Sequence, residues 1–516
     1  MFWLLACTST PSKDSAPTSC EGDEGAGAVV SIAPYVQDLR PDSAWVLWET
    51  DSGAGSRLDH ATGFTCGAEV PAIEGADPTE ADGRVHAVQL TGLEPGTEVQ
   101  ATARTGDLDA GTVRFRTPVE HPEIVRIVAM SDMQRDDAHP EKFAEMVQQG
   151  VLPVVRDRYD DDLTQALDLA LFPGDLVDNG WKAEEWREDF FRPAAELLAE
   201  VPLYPVPGNH EGGSPLFFRY FQLPEQGLAE HAWRTDRGQL RVIGLDSNNW
   251  SQDAQLAWLS EQLAETCTDS DIQVVFAQLH HPHLSELWTA GEDDFSTQVV
   301  TRLEAFTEDC GKPSVHLFGH THGYSRGESR DHQHLMVNVA SAGGALDRWG
   351  GSSQVDYPEF SVSQDHYGFV LLEVGPDSFT IDRYSRGTPE APLDNLHSDS
   401  VTIWLNNTAP DTPTIEGLDC QGLTGSDFND LDGMAHHGSH WQASGACDFE
   451  GDLLLDVWQQ DRNEYMGMDT QAGAELTRQA ADGLSGAVCA RVRYRDAGLV
   501  WSEWSQAVEL SVPDCD

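Results

Sequence analysis

Lysine is almost missing from this 516-residue sequence: Lys13, Lys142, Lys182 and Lys312 are its only four. Positive charge of any kind is scarce, with 31 Lys and Arg against 87 Asp and Glu, a formal net charge of −56. A field of that sign repels nucleic acid and anionic membrane surfaces, which excludes general polyanion binding. It repels a phosphorylated substrate too, unless bound cations reverse the sign locally. No run of about 18 apolar residues occurs, so no helix is expected to span a membrane. No Cys-x-x-Cys pair occurs, which removes a common signature of structural zinc and redox sites. Hydrophobic residues still make up 40% of the chain and charged residues 23%, the balance of a folded protein. The length implies roughly two to four domains.

The nine cysteines point to an oxidising compartment. Leu4-Leu5-Ala6-Cys7 resembles a bacterial lipobox, in which Cys7 becomes the lipid-modified first residue and the only membrane attachment. The basic segment of a secretory signal is missing, so either the coding start lies upstream or the match is accidental. Residues 1–27 read as this signal remnant and a flexible tether. Eight cysteines remain, an even number that suits disulfides in an exported protein, either a cell-envelope lipoprotein or an extracellular one. Cys20–Cys66 and Cys267–Cys310 are the expected early bridges, because each pair falls within or beside one proposed domain. Cys420, Cys447, Cys489 and Cys515 allow three pairings.

Three folded domains follow. Residues 28–118 alternate apolar and polar positions between turn signals, as in Ser43–Thr50 and Val113–Pro118, and read as a β-sandwich. The pattern resembles a fibronectin type III domain or the module that precedes the catalytic domain of purple acid phosphatases, serving as a spacer or a wall of the site. Residues 122–405 alternate buried strand runs (Ile124–Met130, Ala170–Phe172, Val274–Ala277) with helical patterns (Glu185–Glu200, Gln252–Leu263), the texture of a layered α/β domain. Residues 410–516 return to β texture. Arg491, Arg493 and Arg495 share one strand face ahead of Trp501 and Trp504, which resembles the Trp–Arg ladder of fibronectin-type receptor domains. Asp427, Asn429, Asp430 and Asp432 read either as a calcium loop or as a solvated turn. The fold class is therefore multidomain, a central α/β sandwich between two all-β sandwiches.

Five polar clusters punctuate the middle domain: Ser131-Asp132-Met133-Gln134, Gly174-Asp175-Leu176-Val177-Asp178, Gly208-Asn209-His210-Glu211, Leu279-His280-His281-Pro282 and Gly319-His320-Thr321-His322. Most follow an apolar strand run, where open α/β sheets bind ligands. In order and residue type they resemble the calcineurin-like metallophosphoesterase superfamily. The run Gly319–Arg326 and the segment His366–Phe369 further resemble purple acid phosphatases.

The resemblance implies two metal ions, Mn, Fe, Zn or Co, that hold a hydroxide and both sides of an in-line displacement at phosphorus. It assigns Asp175 as the bridge, Asp132, Gln134 and His322 to one site, and Asn209, His280 and His320 to the other. Gln134 stands where many relatives have histidine, and Asp178 where the purple enzymes have tyrosine. His210 becomes the general acid, or else a histidine that orients phosphate. Asp178 either hydrogen-bonds His210 or caps a helix starting near Trp181. His281 lines the substrate pocket or makes a plain hydrogen bond, and Arg326 either approaches the phosphate or forms an ion pair. The implied activity is hydrolysis of small phosphate esters, monoesters ahead of diesters or nucleotides. The rival reading is a non-catalytic surface adhesion protein with a decayed phosphatase domain.

Overall fold

The structure is a computed structural model that describes residue 20 and residues 28–51, 55–70, 83–224 and 226–514. Cys7 with its lipobox, and Cys515, lie outside the described residues. The first domain pairs two four-stranded antiparallel sheets. One runs Val30–Gln37, Ser43–Thr50, Arg84–Thr91, Ala68–Glu69; the other runs Gly63–Cys66, Ser56–His60, Glu98–Thr105, Leu108–Arg116. Alternate residues point inward, so Val36, Val46 and Trp48 of one sheet meet Leu58, Ala103 and Phe115 of the other in a shared core. Cys20–Cys66 ties the incoming chain to this domain. The domain docks through Arg187 on Glu49 (2.6 Å) and the Tyr35 hydroxyl on the Tyr220 carbonyl (2.6 Å). None of its described residues lines the cavities beside the five polar turns.

The central domain packs a six-stranded sheet against a larger one over a continuous apolar core. The smaller sheet runs Leu203–Val206, Leu169–Pro173, Val125–Ala129, Tyr367–Val374, Ser378–Gly387, Pro392–Trp404. The larger runs Ala232–Arg237, Leu240–Leu245, Val274–Gln278, Ser314–Phe318, His334–Asn338, Tyr324–Glu328, Phe360–Gln364. The three strands that precede the first three polar turns pair in parallel with one another, as do Val274–Gln278 and Ser314–Phe318. Their carboxyl ends therefore come out along one edge of each sheet, and that shared edge gathers the five turns. Helices Gln252–Thr268 and Asp294–Cys310 cover the outer face of the larger sheet. Leu259, Leu263, Val299 and Leu303 pack there on Ile243, Val275 and Ala277. Asp293 caps the second helix by accepting from Phe295 N and Ser296 N, and Gly311 ends it in a left-handed turn. Cys267–Cys310 joins the two helix ends.

The last domain sets a three-stranded sheet (Ile415–Asp419, Gly422–Gly425, Arg478–Gln479) against a four-stranded one (Leu453–Gln460, His436–Ser444, Ala487–Asp496, Val508–Ser511). Cys447 bonds Cys489, and Cys420 is disulfide-bonded as well. Phe449, Arg491, Trp504, Arg493, Trp501 and Arg495 alternate in one stack, with guanidinium carbons 4.3 to 5.4 Å from the rings. The stack ends inside the central domain, where buried Arg495 meets buried Glu328 at 3.3 Å. The acidic loop is a turn that binds its own backbone. Asp430 accepts from Met434 N at 3.1 Å, and Asp432 from Thr408 N at 2.7 Å. One feature departs from the three-domain expectation. The hairpin of Glu464–Tyr465 and Met468–Asp469 leaves the last domain and adds to the edge of the larger central sheet, with Val362 opposite Glu464.

Candidate metal centre

Three of the gathered residues hold backbone conformations that side chains rarely adopt. Asp132 (φ 58°), Asp175 (φ 51°) and His320 (φ 70°) are left-handed, each at a cost of about 1–3 kcal/mol. The surrounding bonds enforce them: His320 N donates to both oxygens of Asp132 at 3.1 Å, and His210 N donates to Asp175 Oδ1 at 2.9 Å. The turns pack so closely that glycine is required between them. A Cβ on Gly208 would lie 2.1 Å from Asp175 Oδ1, and one on Gly319 would lie 2.3 Å from Ser131 Oγ.

Two donor groups result. Ligand atoms of Asp175, His280 and His320 lie within 4.8 Å of one another, and so do those of Asp132, Asp175 and His322; Asp175 belongs to both. The histidines are turned correctly for metal. His280 Nδ1 is held by the Pro173 carbonyl at 2.9 Å and His322 Nδ1 by the Ala345 carbonyl at 2.6 Å. Their Nε2 atoms face inward, 3.1 Å from Asp175 and Asp132 respectively. Asn209 Oδ1 sits 2.9 Å from His280 Nε2, joining the first group. Gln134 joins the second. With its amide nitrogen donating to the Asp132 and Asp175 carbonyls (3.2 and 3.3 Å), its oxygen faces His322 Nε2 at 3.0 Å. Burial alone would depress the His280 and His322 imidazoles, but the adjoining carboxylates outweigh it and hold both at about 9. Burial would likewise raise Asp175, yet the His280 and His210 rings keep its carboxyl well below the usual range. So much carboxylate beside inward imidazole nitrogens is a donor set that fits two divalent transition metals.

Glu211 is the residue whose role sequence reading missed. It is fully buried, and its carboxylate accepts four main-chain N–H groups: Asp175 (2.9 Å), Gly208 (2.7 Å), Leu176 (2.9 Å) and Val177 (3.3 Å). It staples the turn carrying Asp175 to the turn carrying Asn209. The signal was its place after Gly208-Asn209-His210, with nothing in the spacing to reveal its partners. Glu211→Gln presents an amide nitrogen to donors on one side. That variant is expected to weaken metal binding about 10–100-fold, measured by competition with a chromogenic chelator, and to lower the melting temperature.

Other candidate residues divide. His210 is in the centre: Nδ1 lies 2.7 Å from the Asp178 carbonyl, and Nε2 lies 3.8 Å from Asp175 Oδ2. The expected Asp178 carboxylate bond is corrected, because its Oδ1 is 3.6 Å away and the side chain turns to solvent. Neither does Asp178 cap a helix; Lys182 occupies the position before the helix at Ala183–Glu185. His281 packs 4.5 Å from the His320 ring and shares Nδ1 with the Ser247 hydroxyl at 2.7 Å. Burial pushes its imidazole far down. Arg326 is corrected as a phosphate contact. It is buried, and Asp399 takes its Nε at 2.7 Å and one Nη at 3.2 Å.

A cavity of about 900 Å³ opens beside His210, His322 and Gln134. Its three cations are matched by neighbouring acids, Lys182 by Glu185, Arg192 by Glu188 and Arg135 by Asp189. Asp136, Asp137, Asp178 and Glu184 line it as well, with no Lys or Arg partner among the described residues. The wall facing a substrate is therefore net negative.

Residues 125–324 match the family model of the calcineurin-like phosphoesterases, and the chain carries such a domain. Over 130 residues it is 31% identical to a protein of Arcobacter nitrofigilis described as "Probable glycerophosphodiester phosphodiesterase GpdQ". That match covers 22% of this chain and 42% of the relative. The fold is similar to a purple acid phosphatase from yellow lupin (Lupinus luteus) seeds, with TM-score 0.58 and 15% identity over 73% of this chain and 75% of that one. It is similar also to PhoD, with TM-score 0.52 and 12% identity over 78% of this chain and 93% of that one.

Proposed function

We propose that this protein is an exported phosphoesterase that uses two metal ions and prefers phosphodiesters. The sharing of Asp175 between two donor groups carries the reading, since one carboxylate common to two Asp/His groups suits a metal pair. Asp132, Asp175, Asn209, His280, His320 and His322, with Gln134, would hold the metals, which would supply Lewis-acid activation of the phosphoryl group and of a water nucleophile. The protein's own task is then the leaving group. The Asp178 carbonyl holds a proton on His210 Nδ1, so Nε2 carries a second proton only as the imidazolium. Asp175 Oδ2 lies 3.8 Å from that Nε2. Nε2 gives its proton to the departing alkoxide, and the neutral ring stays anchored through Nδ1.

The resemblance favoured monoesters, and the purple acid phosphatase-like frame supports that second reading. The site's charge supports diesters. Arg326 is spent on Asp399, and the free acids of the cavity repel a dianionic monoester more than a singly charged diester. The relative from Arcobacter nitrofigilis is described as a probable glycerophosphodiester phosphodiesterase. The expected kcat/KM for bis-p-nitrophenyl phosphate exceeds that for p-nitrophenyl phosphate at least tenfold (about 1.4 kcal/mol), with both activities lost to a chelator and restored by Mn or Zn. The reverse ratio establishes the monoesterase. Cys20–Cys66, Cys267–Cys310 and Cys447–Cys489 support export, with Cys7 as the lipid attachment of a cell-envelope protein.

A further inference from the structure

A sixth turn reaches the edge that gathers the five polar ones. The strand Leu240–Leu245 pairs in parallel with Val274–Gln278, with Gly244 opposite Gln278. The residues that follow it, Asp246-Ser247-Asn248, therefore emerge beside the turn of His280. Asn248 Nδ2 donates to the Gly208 carbonyl at 3.1 Å and to the Pro207 carbonyl at 3.3 Å, directly ahead of Asn209. Glu211 takes the Gly208 N–H at 2.7 Å, so Gly208 is clamped from both sides. Ser247 serves the neighbouring turn. Its Oγ accepts the His281 N–H at 3.1 Å and meets Nδ1 of the same residue at 2.7 Å. The His281 ring in turn packs 5.1 Å from the His280 ring and 4.5 Å from the His320 ring.

The turn is itself firmly held. Asp246 is buried, and its Oδ1 accepts both N and Nδ2 of Asn248 at 2.9 Å. Its Oδ2 lies 2.6 Å from His231 Nδ1, and Trp250 stacks on that imidazole at 3.8 Å. Buried Gln255 ties the loop to the helix Gln252–Thr268. Its amide oxygen accepts Asp246 N at 2.9 Å, and its nitrogen donates to the Asp246 and Trp250 carbonyls at 2.8 Å. Groups that orient a ligand in this way act on a metal at one remove, by fixing where the ligand atom points. We propose that Asp246, Ser247 and Asn248 are positioning residues for one of the two metal sites, the one that Asn209, His280 and His320 complete.

The selectivity follows from which ligands the turn reaches. Among the described residues, no hydrogen bond joins Asp246, Ser247 or Asn248 to Asp132, Gln134 or His322. The other site is braced elsewhere, with His322 Nδ1 on the Ala345 carbonyl and its N–H on Asp347 at 2.8 Å. Asp175, common to both groups, is held through its own N–H by Glu211. Loosening the turn should therefore weaken one metal and spare its neighbour. This role presupposes the two-metal reading of the centre, and the experiment tells the two apart.

Full-length protein stripped of metal is titrated with cobalt(II) in competition with a chromogenic chelator, and the visible absorption of each bound equivalent is followed. Wild type is expected to take up two equivalents; fewer overturns the two-metal reading and this role together. Asn248→Ala should hold one equivalent as wild type does and bind the other about 10–100-fold more weakly, with the absorption of that equivalent alone altered. Ser247→Ala reaches the same site by the other arm and should repeat the selectivity with a smaller loss, which keeps the test open if circular dichroism shows Asn248→Ala unfolded. Asp246→Asn is the conservative control. Its oxygen still accepts from Asn248 and its amide nitrogen meets His231 Nδ1, so it should bind both equivalents much as wild type does, whereas Asp246→Ala should reproduce Asn248→Ala. Equal weakening of both equivalents in folded Asn248→Ala and Ser247→Ala would show general support of the fold, and unchanged affinities would show none. Either result overturns the positioning role and leaves the metal pair standing.

Discussion

Asp175→Asn should release both catalytic metals and lower turnover by about 10³-fold or more. A metal at a reacting phosphoryl group contributes several kcal/mol, and each 1.36 kcal/mol is a factor of ten in rate. Asp175 is the carboxylate common to both donor groups, and an amide in its place would put a nitrogen, a poor ligand, on one side of it. Loss of charge matters equally, because Asp175 is the anion that the inward His280 and His210 rings face in the buried centre. The fold should survive, since asparagine tolerates the left-handed backbone at this position better than other residues do. Metal analysis by plasma mass spectrometry and circular dichroism separate the two effects. A folded variant that keeps two equivalents of metal and near-normal turnover refutes the shared-ligand assignment.

His210→Ala is expected to keep both metals, because its ring lies outside the two donor groups. Its loss should depend on the leaving group. General acid catalysis contributes about 10²–10⁴-fold, so esters of simple alcohols should lose that factor while nitrophenyl esters, whose leaving group needs no proton, lose far less. The geometry adds a discriminating control. Because the main-chain carbonyl of Asp178 holds the ring, Asp178→Asn should change the alkyl-ester rate by only a few-fold, within the range of a surface charge effect. Equal losses for His210→Ala on good and poor leaving groups would assign the ring to substrate positioning instead.

The candidate metal centre was legible in the sequence because each candidate ligand follows a strand that ends at the same sheet edge. Polar residues after apolar runs mark that edge without any knowledge of the pairing. What stayed hidden depends on partners distant in the chain. Whether Arg326 met phosphate or an ion-pair partner was open until Asp399, 73 residues later, was placed beside it. Asp178 was assigned to the right histidine through the wrong atom, since sequence carries no sign of whether a side chain or a carbonyl meets a ring. Glu211 stood in a motif, yet its four donors come from two separate turns. The hairpin at Glu464–Asp469 gave no strand signal because two residues are too few to show alternation. The Trp–Arg stack was visible as a pattern of types, and Phe449 at its outer end was not, being contributed by another strand connection.

That hairpin also bears on how the protein is made. The strand Phe360–Gln364 forms an edge of the larger sheet, and the residue that bonds Gln364 across it, Glu464, lies 100 residues further along the chain. The edge therefore stays bare until the segment 100 residues further along has also folded back onto it. Unpaired edges recruit strands from other molecules. A chain cut after residue 405 keeps every catalytic ligand but never receives its closing strand, so it should be active in principle and aggregate in practice. The C-terminal hairpin is in this sense the cover of an edge that the central domain leaves open by itself.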